Sequence, residues 1–288
     1  MKELKKLREM TGAGMLDCKK ALDEAKGDVD KAIDILREKG IAKALKKQSR
    51  IAAEGLTNII VNEDRAIIIE VNSETDFVAK NAKFQDFVNT LSETILKGNS
   101  KTMDEALKLK VKDETLEEYI AGMTAIIGEK LSLRRFKVVE KKKDEIFGDY
   151  LHMGGKIASL VVLKGKDNNV ALDVAMQVAA MRPKYIKEDD VDKDEKEHEM
   201  SVLREQIANE SPDKNEDIRE KMLLGRMKKF YKDICLLDQP FIQNEKEDVR
   251  NYLKNNKSEV ISMYRYEVGE GMEKREDDFL KEVMSQIK

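Results

Sequence analysis

An acid and a large aromatic, Asp76 and Phe77, stand side by side in the run Val71-Asn72-Ser73-Glu74-Thr75-Asp76-Phe77-Val78-Ala79-Lys80-Asn81. Before this run, Ala66 to Val71 is apolar and reads as a buried strand. After it, Phe84, Phe87, Val88, Leu91 and Ile95 recur at helical spacing. Small polar residues fill the strand-to-helix corner between them. A corner on a rigid support pushes its tip outward, and such places often carry function. Phe77 is either that tip or the first buried residue of the helix. It lies seven residues before Phe84, so an unbroken helix places it on the core stripe. If Asn81 ends a short first helix and caps the next one, Phe77 is freed from that face.

The other places that invite chemistry fail on spacing. A phosphate loop ending at Gly155-Lys156 needs Gly at position 150 and Ser or Thr at 157, and the sequence has Tyr150 and Ile157. Gly269-Glu270-Gly271 follows a strand-like segment, but the third glycine of a dinucleotide fingerprint falls on Lys274. Gly12 and Gly14 have no strand before them. His152 and His198 are too isolated for a metal site or a catalytic triad, and Cys18 and Cys235 for a metal cluster or a disulfide framework. Neither nucleotide hydrolysis, metal catalysis nor nucleophilic catalysis is supported. The expectation is a protein that is not an enzyme and carries no cofactor or metal.

The elements that position the corner can be read in order. Leu4, Leu7 and Met10 mark a first helix ended by Thr11-Gly12-Ala13-Gly14. Met15, Cys18, Ala21, Leu22 and Ala25 mark a second, broken at Gly27-Asp28. Val29, Ala32, Ile33 and Leu36 mark a third, closed by Gly40. Together they predict a small three-helix bundle of the ubiquitin-associated type over 1–40, with the Met15 corner partly open. Lys43, Lys46, Lys47 and Arg50 line a helical linker over 41–54. Strand, polar turn and apolar helix then occur twice, which predicts a duplicated core. The first half covers 55–140, with Leu56 to Val61 and Ala66 to Val71 as strands. Leu116, Ile120, Met123 and Ile127 lie on a later helix, and Leu131 to Val139 form a closing strand. The second half covers 141–185 and 231–268, with Lys141 to Glu145 as hinge and Ile157 to Leu163 as strand. A helix with Val170, Val174, Val178 and Met181 inward follows, then irregular chain from Leu236 to Ile242 and a strand through Tyr264 and Tyr266. Residues 186–230 predict an inserted helical hairpin. Met200, Leu203, Ile207, Ile218 and Met222 form a coiled-coil-like seam across a turn at Ser211-Pro212-Asp213. Phe279, Leu280, Val283, Met284 and Ile287 predict a last helix in a module over 269–288. The fold class is α+β with small antiparallel sheets.

Bulk composition agrees with a binding protein. Charged residues are 39%, aromatics 5%, and the net charge is −3, so no global basic field draws nucleic acid. There is no apolar leader segment, no transit-like start and no apolar run of membrane length, so a cytoplasmic location is expected and no membrane partner. Three binding classes compete: a factor acting on a partner protein, a ribosome- or RNA-associated scaffold using the Lys43 to Arg50 stripe, and a ubiquitin-type adaptor. The last leaves the duplicated core without a purpose.

The run Thr11-Gly12-Ala13-Gly14-Met15-Leu16-Asp17-Cys18-Lys19-Lys20-Ala21-Leu22 resembles the N-terminal signature of the elongation factor Ts family, and Glu70 to Asn81 resembles its second signature. Gly225 to Phe230, Gln239-Pro240-Phe241 and Tyr266 to Lys274 resemble further motifs, in the family's order. The resemblance implies a guanine-nucleotide exchange factor for the translation GTPase elongation factor Tu. It implies that Thr75, Asp76, Phe77 and Val78 act on the partner's magnesium site, with Phe77 as a wedge and Asp76 holding a contact beside it. It further implies partner contacts at Arg8, Met15 and Lys19, at Ile127, Gly128 and His152, and at Ile234. Leu16 departs from the Met of some relatives, a volume-conserving change. No direct nucleic-acid contact is expected, and the complex with the GTPase can be one-to-one or two-to-two.

Overall fold

The computed structural model describes residues 2–273, and within them the chain forms two compact units. The first holds residues 2–139, 153–157 and the described chain from 266 on; the second holds 140–152 and 158–265. Residues 153–157 and 266–268 thus join the first unit, although the charged boundaries predicted them in the second half. The predicted helix around Phe279 to Ile287 lies outside the described residues.

The first unit opens with α1 (Lys2–Thr11), α2 (Met15–Glu24) and α3 (Val29–Lys47). Leu7, Cys18, Ala21, Leu22, Ala25 and Ala32 form their shared core. The inward face of α1 runs Leu4, Leu7, Thr11, so Met10, expected in the stripe, is exposed. Asp28 caps α3 by accepting from the Asp30 and Lys31 amides at 3.1 Å. The spacing closed this helix at Gly40, yet it continues to Lys47. Gly40 is not a stop: it is buried within α3, and a Cβ there would meet only ordinary contacts, the nearest 3.7 Å away at the Gly122 Cα of a neighbouring helix. The predicted bundle and linker therefore share one helix.

Next come β1 (Glu54–Val61) and β2 (Arg65–Ser73), paired antiparallel with Glu54 opposite Ser73 and Val61 opposite Ala66. Then follow α4 (Asp76–Ala79), α5 (Ala82–Gly98), α6 (Met103–Leu107), β3 (Lys110–Val111), β4 (Glu114–Thr115), α7 (Leu116–Ile127) and β5 (Ser132–Glu140). The sheet order is β1-β2-β5. Because β2 is central and covered on both faces, every residue from Ala66 to Ser73 is buried. The α5 residues Phe84, Phe87, Val88, Leu91 and Ile95 pack on it with Ile67, Ile69 and Val71. The outer strand β1 is tied to the 153–157 segment, where the Gly155 carbonyl accepts from the Thr57 amide (2.7 Å) and hydroxyl (2.8 Å).

The second unit contains β6 (Glu145–His152), β7 (Ile157–Lys164), α8 (Asn168–Met181), α9 (Lys193–Glu210), α10 (Glu216–Ile234), β8 (Pro240–Phe241), β9 (Asn244–Asp248), α11 (Val249–Asn255) and β10 (Glu259–Glu267). Its main sheet has the order β10-β7-β6. The plan of the first unit recurs: consecutive strands pair, the second becomes central, a helix follows, and a later strand returns beside it. Strand β6 was not expected, because Gly148 sits in the middle of its inward positions Ile146, Gly148 and Tyr150. That glycine has a packing cause: a Cβ would lie 2.1 Å from the Ala171 carbonyl oxygen of α8. Met181, expected inward, is exposed at the last turn of α8.

Helices α9 and α10 pack as a hairpin along Leu203, Ile207, Leu223, Met227 and Tyr231. Ile218, expected in this seam, is exposed, and α10 runs four residues beyond 230. The short strand β8 lies within the Leu236 to Ile242 chain expected to be irregular, and β9 and α11 follow where the sequence reading assigned no element. Among the described residues no helix is long and apolar enough to cross a membrane.

Candidate functional site

Strand β2 delivers the chain to the corner with its last residue, Ser73, still buried. Thr75 is extended (φ −128°, ψ 156°) and caps the single turn α4, its hydroxyl accepting from the Val78 amide at 3.4 Å. Asn81 is extended again and caps α5, accepting from the Lys83 amide at 2.9 Å. Two caps six residues apart break the helix that spacing alone made continuous. The break takes Phe77 off the Phe84 stripe: its residue is 78% exposed, whereas Val78 packs against the core and Ala79 is buried. Beside the ring, the Lys80 ammonium donates to Asp76 at 2.7 Å and lies 5.9 Å from the ring centroid. The hydrogen bond and charge of Lys80 hold the Asp76 carboxyl below the usual carboxylate range, so it is ionised at neutral pH.

The corner rests on the chain that follows α7. Gly128 ends α7 in the left-handed region (φ 88°), and the next two residues both turn to the corner. The Glu129 carboxylate accepts from the Thr75 amide at 3.0 Å and from the Thr75 hydroxyl at 2.7 Å. The Lys130 amide donates to Glu74 at 2.6 Å, and Arg50 donates to the same carboxylate at 3.2 Å. The Lys130 ammonium reaches the carbonyls of Gln48 (2.6 Å) and Arg50 (2.9 Å), and Lys47 donates to the Gly128 carbonyl. Glu74, Glu129 and Lys130 were not singled out from the sequence, and Arg50 was read only as part of the basic stripe. Their partners lie 24 to 82 residues away, which no local pattern records.

One turn of strand earlier, Glu70 is fully buried and ionically matched. It accepts from Arg134 (2.8 Å), Arg135 (2.6 Å), Asn72 (3.2 Å) and the Gly269 amide (2.8 Å). Burial pulls the Arg135 guanidinium down, but the charges of Glu70 and Glu270 and their hydrogen bonds outweigh this and leave it above its ordinary value. Its guanidinium also lies 4.3 Å from the Tyr266 ring centroid. Gly269 therefore serves this junction. Its φ is +72°, and a Cβ would lie 2.3 Å from the Ala53 carbonyl oxygen.

The remaining sequence candidates are spread over the surface. Arg8 on α1 and Met15 and Lys19 on α2 are exposed, as is Leu16. Gly128 is exposed at the end of α7, and Ile127 before it is half-buried against the core. In the second unit His152 is exposed at the end of β6, its Nδ1 3.1 Å from the Tyr150 hydroxyl, and Ile234 is half-buried against the hairpin core. The corner, Ile127 and Gly128 come together through the Glu129 and Lys130 ties; Arg8, Met15 and Lys19 share the α1–α2 corner. Among the described residues no group of three or more His, Cys, Asp or Glu side chains is placed to hold a metal ion.

The corner thus holds an exposed ring on a clamped base with an ionised carboxylate next to it. Residues 74–270 match the family model for Elongation factor TS, a stretch that begins at the corner and runs through both units. The match covers more than half of the chain, and the chain belongs to that family of translation elongation factors, whose role is nucleotide exchange.

Proposed function

We propose that this chain is the guanine-nucleotide exchange factor of elongation factor Tu, and that Phe77 is the wedge with which it loosens GDP. The carrying observation is the 78% exposure of a phenylalanine on a clamped corner, inside the stretch matched to the family. Exchange of this kind is a coupling of affinities. A factor that binds the nucleotide-free GTPase more tightly than the GDP form must weaken GDP by the same factor. Magnesium neutralises the phosphates of bound GDP and accounts for much of its hold. A ring pushed in beside that ion disturbs its coordination without any bond being broken, and GTP then rebinds to the emptied site. Asp76 holds a contact next to the ring. Arg8, Met15, Lys19, Ile127, Gly128, His152 and Ile234 supply further contacts. The chain itself is not an enzyme, needs no cofactor and works in the cytoplasm.

The RNA-scaffold reading loses support from the basic stripe. Lys43 pairs with Asp17 at 3.0 Å, Lys47 donates to the Gly128 carbonyl, and Arg50 pairs with Glu74. Three of its four charges already have partners within the chain. The test is release of labelled GDP from purified elongation factor Tu. The chain at catalytic amounts accelerates release; no acceleration, together with RNA binding that falls steeply with salt, would favour the scaffold instead.

A further inference from the structure

We infer that Glu129 is a positioning residue for the Phe77 tip, acting through Thr75; the inference rests on the exchange reading above. Helix α4 has four residues, one turn, and one turn is the unfavourable nucleus of a helix rather than a stable element. What holds it is therefore outside it. Val78 and Ala79 anchor its inner side in the core, and the direction of the outer side is set by its first cap. The Thr75 hydroxyl carries both jobs at once. It donates to Glu129 at 2.7 Å, which fixes its proton, and so turns a lone pair to the Val78 amide at 3.4 Å. The second Glu129 oxygen takes the Thr75 amide at 3.0 Å, an orphan donor that β2 no longer pairs. One half-buried carboxylate, 54 residues away along the chain, thus sets both the backbone and the cap from which Phe77 projects. Glu129 is not at the tip, so its effect on a partner passes through the orientation of that ring.

The inference is tested by a cycle of four proteins in the GDP-release assay: the parent chain, Phe77→Ala, Glu129→Gln and the double variant. Replacing one carboxylate oxygen with an amide removes the charge and makes the Thr75 hydroxyl accept where it donated, so its proton no longer fixes the lone pair that caps α4. Loss of a charge-assisted hydrogen bond of this kind slows exchange about tenfold. In the Phe77→Ala background, where there is no ring to aim, Glu129→Gln slows it no further. A general weakening of the fold would instead slow both backgrounds by the same factor. Equal slowing in the two backgrounds, or none in the parent, overturns the inference while leaving the exchange reading intact. If the parent does not accelerate release the exchange reading falls, and if Phe77→Ala is as fast as an active parent only the wedge role falls; either result takes this inference with it. Should Glu129→Gln not fold, Thr75→Val breaks the same bond from the other side, and the same outcomes decide.

Discussion

Truncating Phe77 to alanine separates the proposed wedge role from the fold, because the ring has so little to do with its own core. A phenylalanine side chain offers roughly 200 Å² of apolar surface. With the residue 78% exposed, about 150 Å² is open to a partner and about 45 Å² rests on this chain. At about 25 cal/mol per Å², the resting part is worth about 1 kcal/mol to the fold, and alanine's better helix propensity returns about half of that. The melting temperature should therefore fall by no more than about 2 °C. The open part is worth up to about 4 kcal/mol if it is buried only in the complex with the nucleotide-free GTPase. Part of that contact also forms before GDP leaves and does not accelerate release, so the expected slowing is about tenfold to a hundredfold. Stopped-flow release of a fluorescent GDP from elongation factor Tu reads the rate, and a thermal melt of the free chain reads the fold. A melt lowered by more than about 5 °C with an unchanged release rate would refute the reasoning, since it would place the ring in the core.

Three further outcomes follow from the interior. Glu70→Gln removes the buried carboxylate that Arg134 and Arg135 share; because the two are 23% and 30% exposed and Arg135 keeps Glu270, the usual loss for a broken buried pair scales down to about 2–3 kcal/mol, measurable by urea unfolding at neutral pH. Gly148→Ala drives a Cβ to 2.1 Å from the Ala171 carbonyl oxygen and should cost about 3 kcal/mol in thermal or urea unfolding, since backbone of both β6 and α8 must move. Burial, with the Asp238 charge adding to it, pushes the Cys235 thiol from an ordinary 9.0 up to about 12. The unfolded chain then loses this proton first, so stability falls as pH rises from about 9 towards about 12, and Cys235→Ala should remove that component from unfolding midpoints measured across the range.

How much of this was legible in the sequence depends on the range of the cause. The helices and buried strands whose apolar residues keep one period were readable: Phe84 to Ile95 at helical spacing, Ala66 to Val71 as an unbroken run. So was the possibility that Asn81 caps a second helix, since a cap needs only its own side chain and the next two amides. Legibility failed where a glycine answers to a neighbour in space. Gly40 reads as a helix stop but lies buried against α7 without ending α3, and Gly148 hides the alternation of β6 because α8 comes too close for a side chain. It failed completely for the clamp, because Glu129 and Thr75 owe their meeting to the sheet and to α7, not to any spacing between them.

A protruding ring also faces a problem that its neighbours solve. Left to itself, an apolar side chain on a short, marginal helix gains by folding back onto the nearest apolar surface. Here the inward positions of that turn are already occupied by Val78 and Ala79, so a retreat of Phe77 would have to expel one of them. The Asp76–Lys80 pair flanks the ring on its outer side and keeps charge, hence water, around its base. The Glu129 clamp stops the turn from rotating as a whole. Each device is weak: a solvated surface ion pair adds little, and a single cap is worth about 1 kcal/mol. Acting on four residues together, they hold the backbone from which the ring projects, and in the proposed complex a base already fixed in the free state has less freedom to lose.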